Sequence, residues 1–134
     1  MTLKELSQLY WLNREIEMDA LRLEGLRAKA ENPPSGRPLG APRSPNAERR
    51  MERHAAEAAD LEAIIAAKRV QCIHERNRLE RYIGDIPDSQ TRTIFKLRFV
   101  NGLSWAQVAG HIGGRNTHWG VKKICYRYLD EKNA

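Results

Sequence analysis

Residues 103–114 read LSWAQVAGHIGG, and this stretch decides how the C-terminal part of the chain folds. Ser104 followed by Gln107 matches the capping box, in which two side chains bond to free backbone amides at a helix N-terminus. Gly113 and Gly114 predict the end of the same helix, because glycine reaches positive φ without a steric penalty. The stretch therefore predicts a short helix with a local signal at each end.

Small residues are frequent in this short helix, at Ala106, Ala109 and Gly110. Such a composition is typical of a helix that lets another backbone come close. We expect the following helix to press against Ala109, where a larger side chain would force the two helices apart. Val108 and Ile112 are expected to point into a small core.

Helices are also predicted on both sides of this stretch. Asp88 is a candidate cap for a helix that runs to about Val100, and residues 101–102 turn the chain. Asn116 or Thr117 starts the last helix. The apolar positions of these two flanking helices are Ile94, Phe95, Leu97, Phe99, Val121, Ile124, Cys125, Tyr128 and Leu129. Two helices joined by a short glycine turn predict a helix-turn-helix, whose second helix enters the major groove of DNA.

The segment TRTIFKLRFVNGLSWAQVAGHIG (residues 91–113) resembles the helix-turn-helix of bacterial sigma factor region 4. The positions that match the family pattern are Ile94, Phe95, Leu97, Arg98, Phe99, Gly102, Leu103, Ser104, Val108 and Ala109. The small size and the preceding helical segment are further similar to short phage-encoded transcriptional regulators of the late-gene activator type. The resemblance covers residues 87–129, and it implies a DNA-binding module of transcription.

The chain departs from the family pattern after the first helix of the motif. Eight residues, GGRNTHWG, separate Ile112 from Val121, which is longer than the family spacing. The insertion lengthens the turn or extends the start of the last helix. Gly120 is also unexpected inside a helix, where it costs about 1 kcal/mol relative to alanine. Either the helix starts near Gly120, or the backbone at Gly120 comes close to another group.

Positive charge is concentrated in the C-terminal third. The net charge of the chain is +6, and residues 87–134 contribute +5 of it, from eight basic and three acidic side chains. Residues 89–129 contain no Asp or Glu at all. An acid-free run of this kind favours a polyanionic partner such as DNA.

The candidate DNA contacts lie at the start of the last helix. Arginine and lysine donate to guanine O6 and N7, asparagine pairs with adenine, and an aromatic ring packs on a thymine methyl group or a sugar. We expect Asn116, His118, Trp119 and Lys122 to lie near bases, with Thr117 and Tyr126 on the same surface. Arg115, Lys123 and Arg127 are expected nearer phosphates, together with Arg92, Lys96 and Arg98.

For two of these side chains, Arg98 and Trp119, the sequence leaves a structural alternative. Arg98 can make a structural hydrogen bond or ion pair instead of a DNA contact. Trp119 can fold into the core of the domain. Trp105 is expected to pack near the turn, and Trp11 to pack in an N-terminal pair of helices.

The rest of the chain predicts two longer helices joined by a linker. An apolar stripe marks residues 1–31 as an amphipathic helix, formed by Leu9, Leu12, Ile16, Ala20, Leu23, Leu26 and Ala30. Residues 32–45 hold five prolines and two glycines and predict a linker. Residues 46–86 carry a second amphipathic helix, which Asn46 can cap and Gly84 ends. Its heptad column is Met51, Ala58, Ile65, Cys72 and Leu79, widened by Leu61, Ile64 and Ile73. We expect these helices to form an antiparallel hairpin or coiled-coil extension, or to pair with a second chain.

Several classes of chemistry are not favoured. Cys72 and Cys125 stand far apart, and no histidine or cysteine pair has zinc-ligand spacing. We find no phosphate-binding loop, nucleophile elbow or paired carboxylates, so we expect no enzyme activity, metal or cofactor. No apolar run is long enough to span a bilayer, and the start does not resemble a signal peptide, so we expect a cytoplasmic protein.

The sequence therefore predicts an all-α protein with a helical extension and a C-terminal helix-turn-helix domain at residues 87–134. Its expected function is sequence-specific binding of double-stranded DNA in transcription regulation. A homodimer or higher homo-oligomer is expected, and contact with RNA polymerase is compatible with the resemblance. Two alternatives stay open: a DNA-recognition subunit similar to phage small terminases, and a helical protein-interaction module.

Overall fold

A computed structural model describes residues 1–31 and 45–134, and every regular element in these two ranges is helical. The elements are α1 (Leu3–Leu6), α2 (Gln8–Glu31), α3 (Pro45–Gly84), α4 (Ser89–Phe95), a π-helical turn (Lys96–Val100), α5 (Trp105–Ile112) and α6 (His118–Asn133). The all-α prediction is confirmed at this level. In the described ranges, no helix is long and apolar enough to cross a membrane. Of the predicted linker at 32–45, residues 32–44 lie outside the described residues.

The contacts divide the chain into two compact units. The first contains Met1–Asn13 and Gln71–Ala134, and the second contains Arg14–Val70. The sequence placed the start of the C-terminal domain at residue 87. By its contacts, this unit also includes the first thirteen residues and the end of α3, because Leu6 and Leu79 are buried in the same core as α4, α5 and α6.

The core of the first unit draws on every helix in it. Its buried residues are Leu6, Leu9, Leu79, Ile83, Ile86, Ile94, Phe95, Phe99, Val108, Ala109, Val121, Cys125 and Leu129. The Phe95 ring contacts Phe99 and Tyr128, with ring centroids 5.5 and 5.4 Å apart. The side chain of Asn133 donates to the carbonyl oxygen of Met1, which joins the two ends of the chain. The apolar positions predicted for α4 and α6 are buried or half-buried.

The second unit is a pair of antiparallel helical segments. Leu23 and Leu26 of α2 pack against Ala58, Leu61 and Ile65 of α3. Three ion pairs link the two segments, between Lys68 and both Asp19 (2.5 Å) and Glu15 (3.7 Å), and between Arg27 and Glu62. The hydrogen bond from Lys68 to Asp19 raises the pKa of the Lys68 ammonium. The residue numbers of the partners in α3 fall as those of the partners in α2 rise, so the two segments run in opposite directions.

Local signals in the sequence account for the helix ends. Asp88 caps α4 through its hydrogen bonds from Thr91, which also hold the pKa of the Asp88 carboxyl below its usual range. Ser104 and Gln107 form the predicted capping box at α5. Gly102, at φ +71°, ends the π-helical turn, and the Leu103 amide donates to the Leu97 carbonyl oxygen across it. Helix α3 ends at Gly84 as predicted.

Several expectations for the two long helices were wrong. Trp11 does not pack into the helix pair but is 59% exposed, because it is turned about 100° from Leu12 and out of the apolar stripe. Ile64 and Ile73 are also exposed, since each is one residue away from a buried or half-buried heptad position. Asn46 does not cap α3, because that helix already begins at Pro45. Ser7 interrupts the first predicted helix between α1 and α2.

Candidate nucleic-acid interface

A turn of five residues positions the start of α6. Gly113 and Gly114 both have positive φ (+78° and +66°), as the sequence predicted. The side-chain amide of Asn116 donates to the Gly113 carbonyl oxygen at 2.9 Å and fixes the turn. Thr117 is the N-cap of α6, because its hydroxyl oxygen accepts from the Gly120 amide at 3.1 Å. Gly120 is thus the third residue of the helix, and a Cβ there would meet only the Thr117 hydroxyl at 3.4 Å.

The predicted contact residues share the outer surface of the turn and of α6. All eight except Lys122 are exposed, and Lys122 is half-buried. The eight are Arg115, Asn116, Thr117, His118, Trp119, Lys122, Lys123 and Arg127. Trp119 is 62% exposed, so its ring does not fold into the core. The opposite face of α6 is buried through Val121, Cys125 and Leu129, which leaves this surface free toward solvent.

Aromatic rings hold Lys122 in the middle of this surface. Its ammonium nitrogen lies 5.4 Å from the centroid of the Trp119 ring and 5.5 Å from that of Tyr126. Tyr126 in turn contacts the edge of Trp105, with ring centroids 6.3 Å apart. His118 packs beside Trp119, with centroids 5.5 Å apart. The outer surface of α6 is therefore ordered by its own side chains.

Two of the candidate phosphate contacts, Arg92 and Arg98, already donate to backbone carbonyl oxygens within the fold. Arg98 donates to the Leu103 carbonyl oxygen at 2.9 Å, and its guanidinium lies 4.8 Å from the Trp105 ring centroid. Arg92 donates to the Ile86 carbonyl oxygen at 3.3 Å. Both side chains are partly buried. The structural alternative that the sequence left open for Arg98 is the one observed, and Arg92 follows the same pattern.

The other cations of this region have no acidic partner. In the described part of the chain, no ion pair involves any of the five remaining basic residues between positions 89 and 129. These residues are Lys96, Arg115, Lys122, Lys123 and Arg127. Four of them lie on the turn or on α6. Uncompensated charge on one short segment is the electrostatic pattern expected of a surface that binds a polyanion.

The small residues of α5 do not all have the same role. Ala109 is buried in the core, as we expected from the sequence, with 8% of its surface exposed. Ala106 and Gly110 are exposed, and a Cβ at Gly110 would meet no atom within 4 Å. Close packing inside this chain therefore accounts for Ala109 alone. Ala106 and Gly110 leave the outside of α5 without large side chains.

The cysteines and histidines do not form a site in the described residues. Among the described residues neither cysteine takes part in a disulfide, and no group of three metal-binding side chains comes together there. Cys125 is fully buried in the core of the first unit. Burial raises the pKa of its thiol to about 12. The Cys125 thiol is consequently protonated at neutral pH and a poor nucleophile.

The sequence predicted most residues of this surface but not the contacts between their side chains. The contact of Lys122 with two rings was not predicted, although Trp119, Lys122 and Tyr126 follow the 3–4 spacing of one helix face. The link from Tyr126 to Trp105, and from there to Arg98, depends on the packing of α5 against α6. No local sequence signal reveals it.

Comparisons of this chain with protein-family models, with curated proteins and with solved structures found no match.

Proposed function

We propose that this protein is a sequence-specific DNA-binding transcription regulator that inserts α6 into the major groove of double-stranded DNA. The observation that carries the proposal is the outer surface of the turn and of α6. It combines an exposed tryptophan with four basic side chains that have no acidic partner among the described residues. The sequence contains no Asp or Glu between Ser89 and Leu129.

The arrangement of α5 and α6 supports the interpretation of this region as a helix-turn-helix. Helix α5 is capped by Ser104, ends at two glycines of positive φ, and is followed after five residues by α6. In a helix-turn-helix the N-terminal residues of the second helix contact base edges. The exposed residues of the first two turns of α6 include His118, Trp119 and Lys123, and all of them can contact DNA.

Self-association forms part of the proposal, because one such module contacts only a few base pairs. Two copies would read two half-sites about one helical turn apart. The second unit carries exposed apolar side chains that suit this role, namely Met18 (67% exposed), Leu21 (69%) and Ile64 (47%). A cytoplasmic location and contact with RNA polymerase go with the proposed role and stay predictions.

The experiment is selection of bound fragments from a randomised duplex pool by the purified full chain, at about 150 mM salt with excess competitor DNA. We expect enrichment of one motif, and the spacing of its repeats gives the arrangement of the copies. Binding without any enriched motif would overturn sequence-specific regulation and favour a packaging role. No binding at this salt concentration would favour a helical protein-interaction module.

A further inference from the structure

The Lys122–Trp119 pair offers a way to read two neighbouring base pairs. We propose that the Lys122 ammonium recognises a guanine through its O6 and N7 atoms, and that the Trp119 ring recognises the methyl group of a thymine in the adjoining base pair. This inference rests on the proposed function and adds which bases are read and by which side chains.

The first step is that Lys122 is positioned without using any of its hydrogen-bond donors. The two ring contacts are cation–π contacts, which need no acceptor atom. No hydrogen bond or ion pair of Lys122 occurs among the described residues, so its three N–H donors stay available. Arg98 and Arg92 differ, because backbone carbonyl oxygens already occupy their guanidinium groups.

The second step is that a lysine held between two rings is suited to a base edge more than to a phosphate. Phosphate contacts position a protein on the duplex without reading its sequence, and exposed cations such as Lys123 and Arg127 can make them. Lys122 is half-buried, and Trp119 and Tyr126 flank it at nearly equal distances. Because the ammonium is already positioned, less side-chain entropy is lost when it forms a directional contact with a base. Discrimination between bases depends on such directional contacts.

The third step is the spacing along the helix. Trp119 and Lys122 lie three residues apart, so their Cα atoms differ by about 4.5 Å along the axis of α6. Stacked base pairs are about 3.4 Å apart. The two side chains therefore match consecutive base pairs when α6 lies along the groove. The exposed indole is the one large apolar surface in the first turn of α6, and thymine is the one base with a methyl group in the major groove.

The experiment repeats the selection from the randomised pool with four proteins, the wild type and the variants Lys122→Met, Lys123→Met and Trp119→Ala. Methionine keeps the unbranched, apolar part of lysine and removes the charge, so Lys122→Met retains contact with both rings. Lys123→Met is the matched control, with the same chemical change one residue away on an exposed site. Thermal melting of each variant verifies that the fold is intact.

We expect the wild-type motif to contain a guanine next to a thymine, on the same or on opposite strands. Lys122→Met should lose about tenfold in preference for that guanine and keep the other positions of the motif. Lys123→Met should weaken binding to motif and non-motif DNA by the same factor. A Lys122→Met motif with the guanine preference unchanged would overturn the role of Lys122.

The role of Trp119 is tested with the selected duplex, by replacing the thymine in question with deoxyuridine, which lacks only the methyl group. We expect several-fold weaker binding by the wild type and no change for Trp119→Ala. Equal binding of both duplexes by the wild type would overturn methyl recognition. If the wild type enriches no motif at all, the proposed function fails before this inference is reached, so the two failures are distinguishable.

Discussion

Arg98 donates a hydrogen bond from its Nη1 atom to the carbonyl oxygen of Leu103, at a distance of 2.9 Å. This bond joins the π-helical turn after α4 to the residue before the Ser104 cap of α5, and the same guanidinium lies against the Trp105 ring. An arginine in the most basic part of the chain thus supports the fold of the surface and is not itself a free cation.

Arg98→Ala should destabilise the first unit by about 1–2 kcal/mol, because a hydrogen bond from a charged group to a partly buried carbonyl oxygen is lost. Arg127→Ala is the matched control, since Arg127 is exposed. It should leave the free energy of unfolding unchanged and weaken DNA binding. Chemical denaturation and DNA titration of both variants measure the two effects, and the reverse assignment would contradict the structural role of Arg98.

Ala109→Leu should destabilise the protein by about 1–3 kcal/mol, because the added side chain overpacks a small core. Ala106→Leu makes the same change on the same helix at an exposed position, and we expect little effect on stability. Thermal melting of the two variants tests the explanation of the small residues in α5. Equal melting temperatures would show that Ala109 is not needed for close packing.

Ser104→Ala should cost about 1 kcal/mol of stability, because the side chain accepts from the Gln107 amide and completes the capping box. Ser89→Ala serves as the control, since Ser89 is the first residue of α4 and the cap there is Asp88. Urea denaturation should separate the two variants by that amount. A Ser89→Ala variant as unstable as Ser104→Ala would argue against capping as the cause.

Cys125 should react with a thiol reagent only after unfolding, because the residue is buried and its thiol pKa is raised to about 12. A Cys72→Ala variant leaves Cys125 as the one thiol and makes the reaction easy to follow. The raised pKa also gives a sign for the pH dependence. The unfolded thiol ionises near pH 8.5 and the folded one near 12, so the contribution of Cys125 to stability is constant below about pH 8 and falls as the pH rises through this window. Rapid labelling of the folded variant at pH 7.5 would contradict the burial of Cys125.

The parts of the fold that depend on neighbouring residues could be predicted from the sequence. The caps at Asp88, Ser104 and Thr117 and the glycine turn at 113–114 each follow from a few adjacent residues. The apolar stripe of α2 follows from helical spacing in the same way. Such features are local, and the physical reasons for them are contained in short segments of the chain.

The features that were missed depend on contacts between distant segments. The first thirteen residues complete the core of the C-terminal unit, and Asn133 bonds to Met1, but no spacing rule brings the two ends of a chain together. The exposure of Trp11 was missed because a large aromatic residue beside an apolar stripe was assumed to join it. Within the candidate surface, the residues could be named, whereas the ring contacts around Lys122 required the packing of α5 on α6.

The central claim is that the outer surface of α6 contacts the DNA backbone, and the salt dependence of binding tests it most directly. We would measure the affinity of the wild type and of a Lys123→Ala/Arg127→Ala double variant for one duplex between about 50 and 200 mM salt. An Arg22→Ala/Lys29→Ala double variant, at two exposed positions of the second unit, controls for the same change in net charge. Each lost phosphate contact should reduce the slope of log affinity against log salt by about 0.9, so the double variant should differ from the wild type by nearly 2. A slope that stays the same in the double variant would show that α6 does not face the DNA.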